Sequence, residues 1–272
     1  MHPTALTRGL VLLIALAGCG LPADGHAGDG QLLRIAVAAN FEATLERLVT
    51  AFTAGRDLEV VVSAGASGLL YGQIVQGAPF DVFFSADAAR PLRLEREGLT
   101  VPGSRFTYAE GVLALWRPGL PAARTIEQAL ARSDVEVVAI ANPATAPYGA
   151  AAIEVLERLG LLDDPPFKIV RGESIGQAFQ FVASGNATLG FIALSQLLEF
   201  DARNGQRARQ EAMIVDPALY QPIVQQAVWI ARSRDNRLAP AFLEFVRSAA
   251  GHAIVRSAGY ALPAHDRDVR RR

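Results

Sequence analysis

Side chains able to do covalent chemistry are thinly spread along this chain of 272 residues. The four histidines are His2, His26, His252 and His265, a pair towards each end, which gives no metal-ligand spacing and no imidazole beside a nucleophile turn. Ser85-Ala86-Asp87 follows a strand-like run and has the look of a nucleophile with its carboxylate, but an Asp that caps the next helix explains it more simply. Glu154, Glu157 and Arg158 share one helical face, the pattern of a solvated ion-pair surface. Lys168 is the sole lysine and belongs to no G-x-x-x-x-G-K-[ST] run, so a nucleotide-hydrolysing phosphate loop is excluded.

What remains is the chemistry of the backbone. At four places a strand-like run passes into a helix-like run through small residues or Gly/Pro punctuation: Ala39-Asn40, Ala64-Gly65-Ala66-Ser67-Gly68, Asn142-Pro143-Ala144-Thr145-Ala146-Pro147-Tyr148-Gly149 and Arg171-Gly172-Glu173-Ser174-Ile175-Gly176. The first turn of a helix carries N–H groups with no intrahelical acceptor, and the macrodipole puts its positive end there, so each turn suits an anion. Ordinary capping explains any one turn taken alone. Four in alternation leave capping and a shared anion site both open.

The elements that would position these turns alternate. Apolar runs at 32–38, 60–63, 82–85, 112–116, 135–140 and 188–193 read as strands, and helical spacing covers 69–76, 88–97, 149–159 and 177–184, with another helix from Phe41 onward. Gly185-Asn186 suits a left-handed helix stop. Such alternation implies α/β architecture, with mostly parallel sheets flanked by helices on both faces. In such sheets ligands bind at the carboxyl ends of the strands, where these turns fall. The simplest reading is two lobes, one of residues 31–109 with 225–265 and one of residues 110–224. No Pro/Ser-rich linker separates them, so the chain is expected to cross near 106–111 and 223–228.

With 26 basic and 27 acidic residues there is no global field to attract nucleic acid or an anionic membrane. Residues 1–30 read as a leader, because the apolar run 9–18 has the length of a secretory signal and is too short to span a bilayer. The only cysteine, Cys19, ends the run Leu16-Ala17-Gly18-Cys19, which resembles a lipoprotein cleavage and lipidation site; cleavage after Gly25-His26-Ala27 is the alternative. Residues 266–272 read as a disordered tail.

Taken together, several segments resemble the periplasmic molybdate-binding protein family of bacterial ABC transporters. They are Ala38-Ala39-Asn40-Phe41, Ser63-Ala64-Gly65-Ala66-Ser67-Gly68, Gly77-Ala78-Pro79-Phe80-Asp81-Val82-Phe83-Phe84-Ser85-Ala86-Asp87, Asn142-Pro143 with Ala146-Pro147-Tyr148-Gly149, and Ala183-Ser184-Gly185-Asn186-Ala187-Thr188-Leu189-Gly190-Phe191. The likeness runs in order through nearly the whole chain after the leader and is greatest to the branch known from nitrogen-fixing soil bacteria.

The resemblance implies a two-lobed periplasmic binding protein fold of type II with its ligand between the lobes. It implies a monomeric receptor, not an enzyme, that captures molybdate or tungstate in the periplasm, needs no cofactor, and delivers the oxyanion to a membrane permease. By motif, Ala39 and Asn40 would contribute from the first turn, Ser67 its hydroxyl and N–H from the second, Tyr148 its N–H from the third and Ile175 its N–H from the fourth. The same residues would hold molybdenum as the oxyanion, with no cation ligands. Two departures stand out: Ala39 occupies a position where many members have a hydroxyl, and Ala193 one where some place a tyrosine. Receptors for sulfate or phosphate are the alternative within this fold. An exported α/β hydrolase or transferase is the alternative from another class, and it lacks a visible base.

Overall fold

The computed structural model describes residues 32–119, 122–205 and 208–262. The expectations for the leader, for lipidation of Cys19 and for the 266–272 tail lie outside these residues.

Two five-stranded sheets form the scaffold. In the first, β1 (Leu32–Ala38) lies between β2 (Glu59–Gly65) and β3 (Val82–Ser85), parallel to both. Helices cover both its faces, which is why the strand is apolar at every position but Arg34. β3 then pairs antiparallel with β10 (Ile223–Trp229), and β10 antiparallel with β4 (Phe106–Gly111). In the second, β6 (Val137–Ala141) lies between β7 (Lys168–Gly172) and β8 (Leu189–Ala193), again parallel to both, followed by β5 (Leu113–Trp116) and β9 (Ala212–Ile214) in antiparallel steps. Each sheet thus has one reversed strand, β10 or β5, and the two strand orders, β2-β1-β3-β10-β4 and β7-β6-β8-β5-β9, superpose topologically.

The chain leaves the first sheet after Gly111, enters the second at Leu113, and returns between Ile214 and Ile223. The segments expected to be crossings, 106–111 and 223–228, are themselves strands of the first sheet, and the crossings adjoin them.

Four helices follow the strands that matter here: α1 (Glu42–Thr53) after β1, α2 (Ser67–Val75) after β2, α5 (Pro147–Arg158) after β6 and α6 (Ile175–Ala183) after β7. Three of them begin two residues earlier than periodicity predicts, at Ser67, Pro147 and Ile175. The apolar period registers the first residue facing the core, whereas the first turn is built of small or polar residues whose N–H groups need no intrahelical acceptor. α3 (Ala89–Arg96) follows β3, and its Arg90 N–H donates to Asp87 Oδ1 at 2.8 Å, so Asp87 does serve as the cap of a helix start. A positive φ at Gly185 ends α6.

The cores fix the turns. Phe41, at the end of the first turn, is fully buried and packs on Tyr108 at 4.5 Å and Phe84 at 5.8 Å between ring centres. A continuous apolar cluster runs from Ala38, Ala66 and Ala86 of the first lobe to Ala141, Tyr148, Ile175 and Ala193 of the second. The lobes are therefore in van der Waals contact at the strand ends.

Candidate functional site

All four turns lie at carboxyl ends of neighbouring strands, β1 and β2 in one lobe and β6 and β7 in the other, and contacts chain them into a ring. Ala39 N–H donates to the Gly65 carbonyl at 2.9 Å, joining the first turn to the second. Gly68 N–H donates to the Thr145 carbonyl at 2.9 Å, joining the second to the third across the lobes. Thr145 Oγ1 makes a long contact of 3.5 Å with the Glu173 carbonyl in the fourth turn. A Cβ placed on Gly176 would stand 3.4 Å from Ala39 Cβ, which brings the fourth turn back against the first.

The caps of these helices bear on the two readings of the turns. Of the four helices that follow these turns, only α6 has a side-chain cap, Ser174 Oγ accepting from Gln177 N–H at 3.3 Å. At α1, α2 and α5 the cap positions are Phe41, Ala66 and Ala146, and none supplies a side-chain hydrogen bond. Three bare helix starts on one ring are poorly explained by capping, because buried N–H groups need acceptors. The N–H groups of Asn40, Ser67, Tyr148 and Ile175 meet no acceptor among the described residues, and these four residues are only 1–4 % exposed. Ser67 adds a fifth donor: its Oγ accepts Ala86 N–H at 2.9 Å, which orients the hydroxyl and leaves its proton available.

Of the two residues expected to contribute from the first turn, Ala39 has no free N–H. Its N–H is taken by Gly65, so a methyl wall is what it offers. The reason is that β1 pairing with β2 continues one residue past the strand end, which residue types alone do not reveal. The side chain of Asn40 is likewise engaged: Nδ2 donates to Gln225 Oε1 at 2.9 Å and to Tyr260 Oη at 3.0 Å, while Oδ1 is buried with no donor among the described residues. Ala193 is fully buried at the end of β8 and brings no polar group.

The charge balance is local. Arg90 Nη2 donates to the Ala144 carbonyl at 3.1 Å beside Gly68, and the guanidinium is paired with Asp87, so the pair has no net charge. At the rim, Arg203 bridges Glu46 of the other lobe at 3.5 Å. Burial, together with nearby Glu46, raises the carboxyl of Glu42 above its usual range, opposed by Arg203. Burial also pushes the phenols of Tyr108, Tyr148 and Tyr260 above theirs, so all three remain neutral donors and acceptors. An open groove of about 320 Å³ flanks the ring beside Asn40 and Gly176, and another of about 410 Å³ flanks it beside Arg90 and Pro147.

Sequence reasoning missed the groups that join the lobes here. Gly68 and Gly176 matter because each permits a close approach, and Gly111 because a Cβ there would overlap the Tyr148 hydroxyl and Gln225 Nε2. Gln225, Ser195 and Tyr260 reach the first turn from residues distant in sequence, and no local pattern marks them.

Two similar sheets, two chain crossings and a ring of helix N-termini between the lobes define a two-lobed solute-binding protein. Residues 33–261 match the family described as bacterial extracellular solute-binding protein. The chain is 41 % identical over 258 residues to the molybdate-binding protein ModA of Rhodobacter capsulatus, covering 95 % of this chain and 97 % of that one. It is also 41 % identical to the structure of the periplasmic molybdate-binding protein of Azotobacter vinelandii, with a TM-score of 0.77 over 85 % of this chain and 99 % of that one. The sulfate-binding protein SubI of Mycobacterium tuberculosis shares the fold alone, at 17 % identity and a TM-score of 0.68 over 88 % of this chain and 90 % of that one. This chain belongs to the molybdate-binding protein family of bacterial extracellular solute receptors.

Proposed function

We propose that the protein is a periplasmic receptor that closes its lobes, residues 31–109 with 225–265 and residues 110–224, on molybdate or tungstate and delivers the ion to an ABC transporter permease. It works as a binding protein rather than an enzyme. Asn40, Ser67, Tyr148 and Ile175 donate to the oxyanion, Ala39 walls the site, and Cys19 tethers the chain to the membrane through a lipid.

The observation that carries this reading is a ring in which three of four helix starts lack side-chain caps and whose free donors, the N–H groups of Asn40, Ser67, Tyr148 and Ile175 and the Ser67 hydroxyl, are all uncharged. Molybdate is a proton-free tetrahedral dianion at neutral pH, so hydrogen-bond donors alone satisfy it. Helix dipoles concentrate about half a positive charge at each N-terminus and so offset the dianion without a salt bridge. The family relationship supports molybdate, since the R. capsulatus and A. vinelandii relatives are named for it.

One observation favours a different oxyanion. Asn40 Oδ1 is a buried acceptor without a donor, which is what a proton-bearing phosphate would use. A half turn of the Asn40 and Gln225 amides together does not remove this advantage, because Asn40 Oδ1 would then face Tyr260 Oη at 3.0 Å, whose proton goes to the Asn40 carbonyl. Calorimetry with molybdate, tungstate, sulfate and phosphate separates the readings. Molybdate and tungstate should bind at least about a hundredfold more tightly than the other two, a difference of about 2.7 kcal/mol. Tighter binding of phosphate or sulfate would sink the molybdate reading.

A further inference from the structure

Behind the ring of turns, the segment after α9 (Ala249–Ser257) makes a second connection between the lobes. Ala261 pairs with Glu110 of β4, its carbonyl accepting at 2.8 Å and its N–H donating at 3.2 Å, which fixes the segment to the first sheet. From that anchor Gly259, at φ +86, lies so close to α7 (Leu194–Asn204) of the second lobe that a Cβ would be 2.6 Å from Leu198 Cδ1. Next to it, the Tyr260 hydroxyl donates to the Asn40 carbonyl at 2.6 Å and lies 2.9 Å from Ser195 Oγ in the first turn of α7. Ser195 Oγ in turn donates to the same Asn40 carbonyl at 3.0 Å. Tyr260, Ser195 and Asn40 are 5, 7 and 4 % exposed, so these bonds are shielded from water.

We propose that Tyr260 and Ser195 are positioning residues that latch the second lobe to Asn40 and thereby set how slowly the bound oxyanion leaves. The proposal rests on the oxyanion reading above. Asn40 presents the one N–H of the first turn's Ala39-Asn40 pair that the sheet does not use, and its carbonyl is held by hydroxyls from both lobes at once. The Ser195 bonds exist only while α7 rests on the first turn, so they must break before the lobes part and release a ligand. Such contacts act on escape rather than on encounter.

The test uses Tyr260→Phe, which keeps the ring against Phe41, Ser195→Ala, the double variant, and Ser195→Thr as the conservative replacement. Wild type is first titrated with molybdate, tungstate, sulfate and phosphate, and the tightest binder is the probe for stopped-flow kinetics. Failure of molybdate alone overturns the assigned ligand and leaves the latch to be judged on the anion that binds. A wild type that binds none of them overturns both. Each single variant should raise the dissociation rate roughly tenfold, with association changed by less than about twofold. The double variant should be little worse than the worse single one, because the two hydroxyls share one carbonyl. Ser195→Thr should restore slow release. Unchanged dissociation in Ser195→Ala and Tyr260→Phe, a loss residing in association, or strictly additive effects would each overturn the latch; should Tyr260→Phe not fold, Ser195→Ala and Ser195→Thr decide it alone.

Discussion

In the proposed site, Ser67 is the side chain expected to matter most. Ala86 N–H fixes the position of its oxygen at 2.9 Å, so the hydroxyl proton has one useful direction and little rotational freedom to lose on binding. Ser67→Ala removes one hydrogen bond to a charged acceptor, about 1.5–3 kcal/mol, and should weaken molybdate binding roughly ten- to a hundredfold in calorimetry. Ser67→Asp sets a carboxylate at a position 1 % exposed against a dianion and should abolish binding; measurable affinity in that variant would remove Ser67 from the site. The place of Ser67 at a strand-to-helix turn was legible in the sequence, and the role proposed for it came from the family resemblance. The engagement of the Ala39 N–H was not legible, because the pairing that uses it depends on where β2 ends beside it.

At the scale of elements, the bare starts of α1, α2 and α5 and the close packing of turns across the cleft belong to one arrangement. Gly68 shows the constraint: a Cβ there would stand 3.0 Å from Thr145 Cα and 2.9 Å from Arg90 Nη2. Gly68→Ala should therefore hold the second and third turns apart, lowering affinity more than tenfold while the ligand-free protein melts within a few degrees of wild type. Wild-type affinity would mean that the Gly68 to Thr145 contact is dispensable for closure. Most strands and the order of elements were legible, since strands buried on both faces stand out as apolar runs. The reversed strands β5 and β10, and the approach of α7 and the 258–262 segment to Asn40, were hidden because they depend on partners far along the chain.

At the scale of the molecule, donors divided between two lobes require closure, so small-angle scattering should show a smaller radius of gyration when molybdate is added. An unchanged radius would place the site within one lobe. The buried phenols give stability a definite pH dependence. Tyr108, Tyr148 and Tyr260 have folded-state values raised above the ordinary 10.0, so the unfolded chain releases these protons first. Their contribution is fully present below pH 10 and is lost as pH rises above it; melting temperature should stay level to about pH 9.5 and then fall, whereas a fall beginning near pH 8 would implicate other groups. The most direct test of the central claim, capture of a dianion by backbone and hydroxyl donors without an unpaired cation, is calorimetric titration of wild type with molybdate at about 0.01 M and about 1 M sodium chloride, across which the Debye length shrinks from about 30 to about 3 Å. Short-range donors inside a closed site predict a dissociation constant that changes less than about threefold, and a rise of a hundredfold or more would contradict the account.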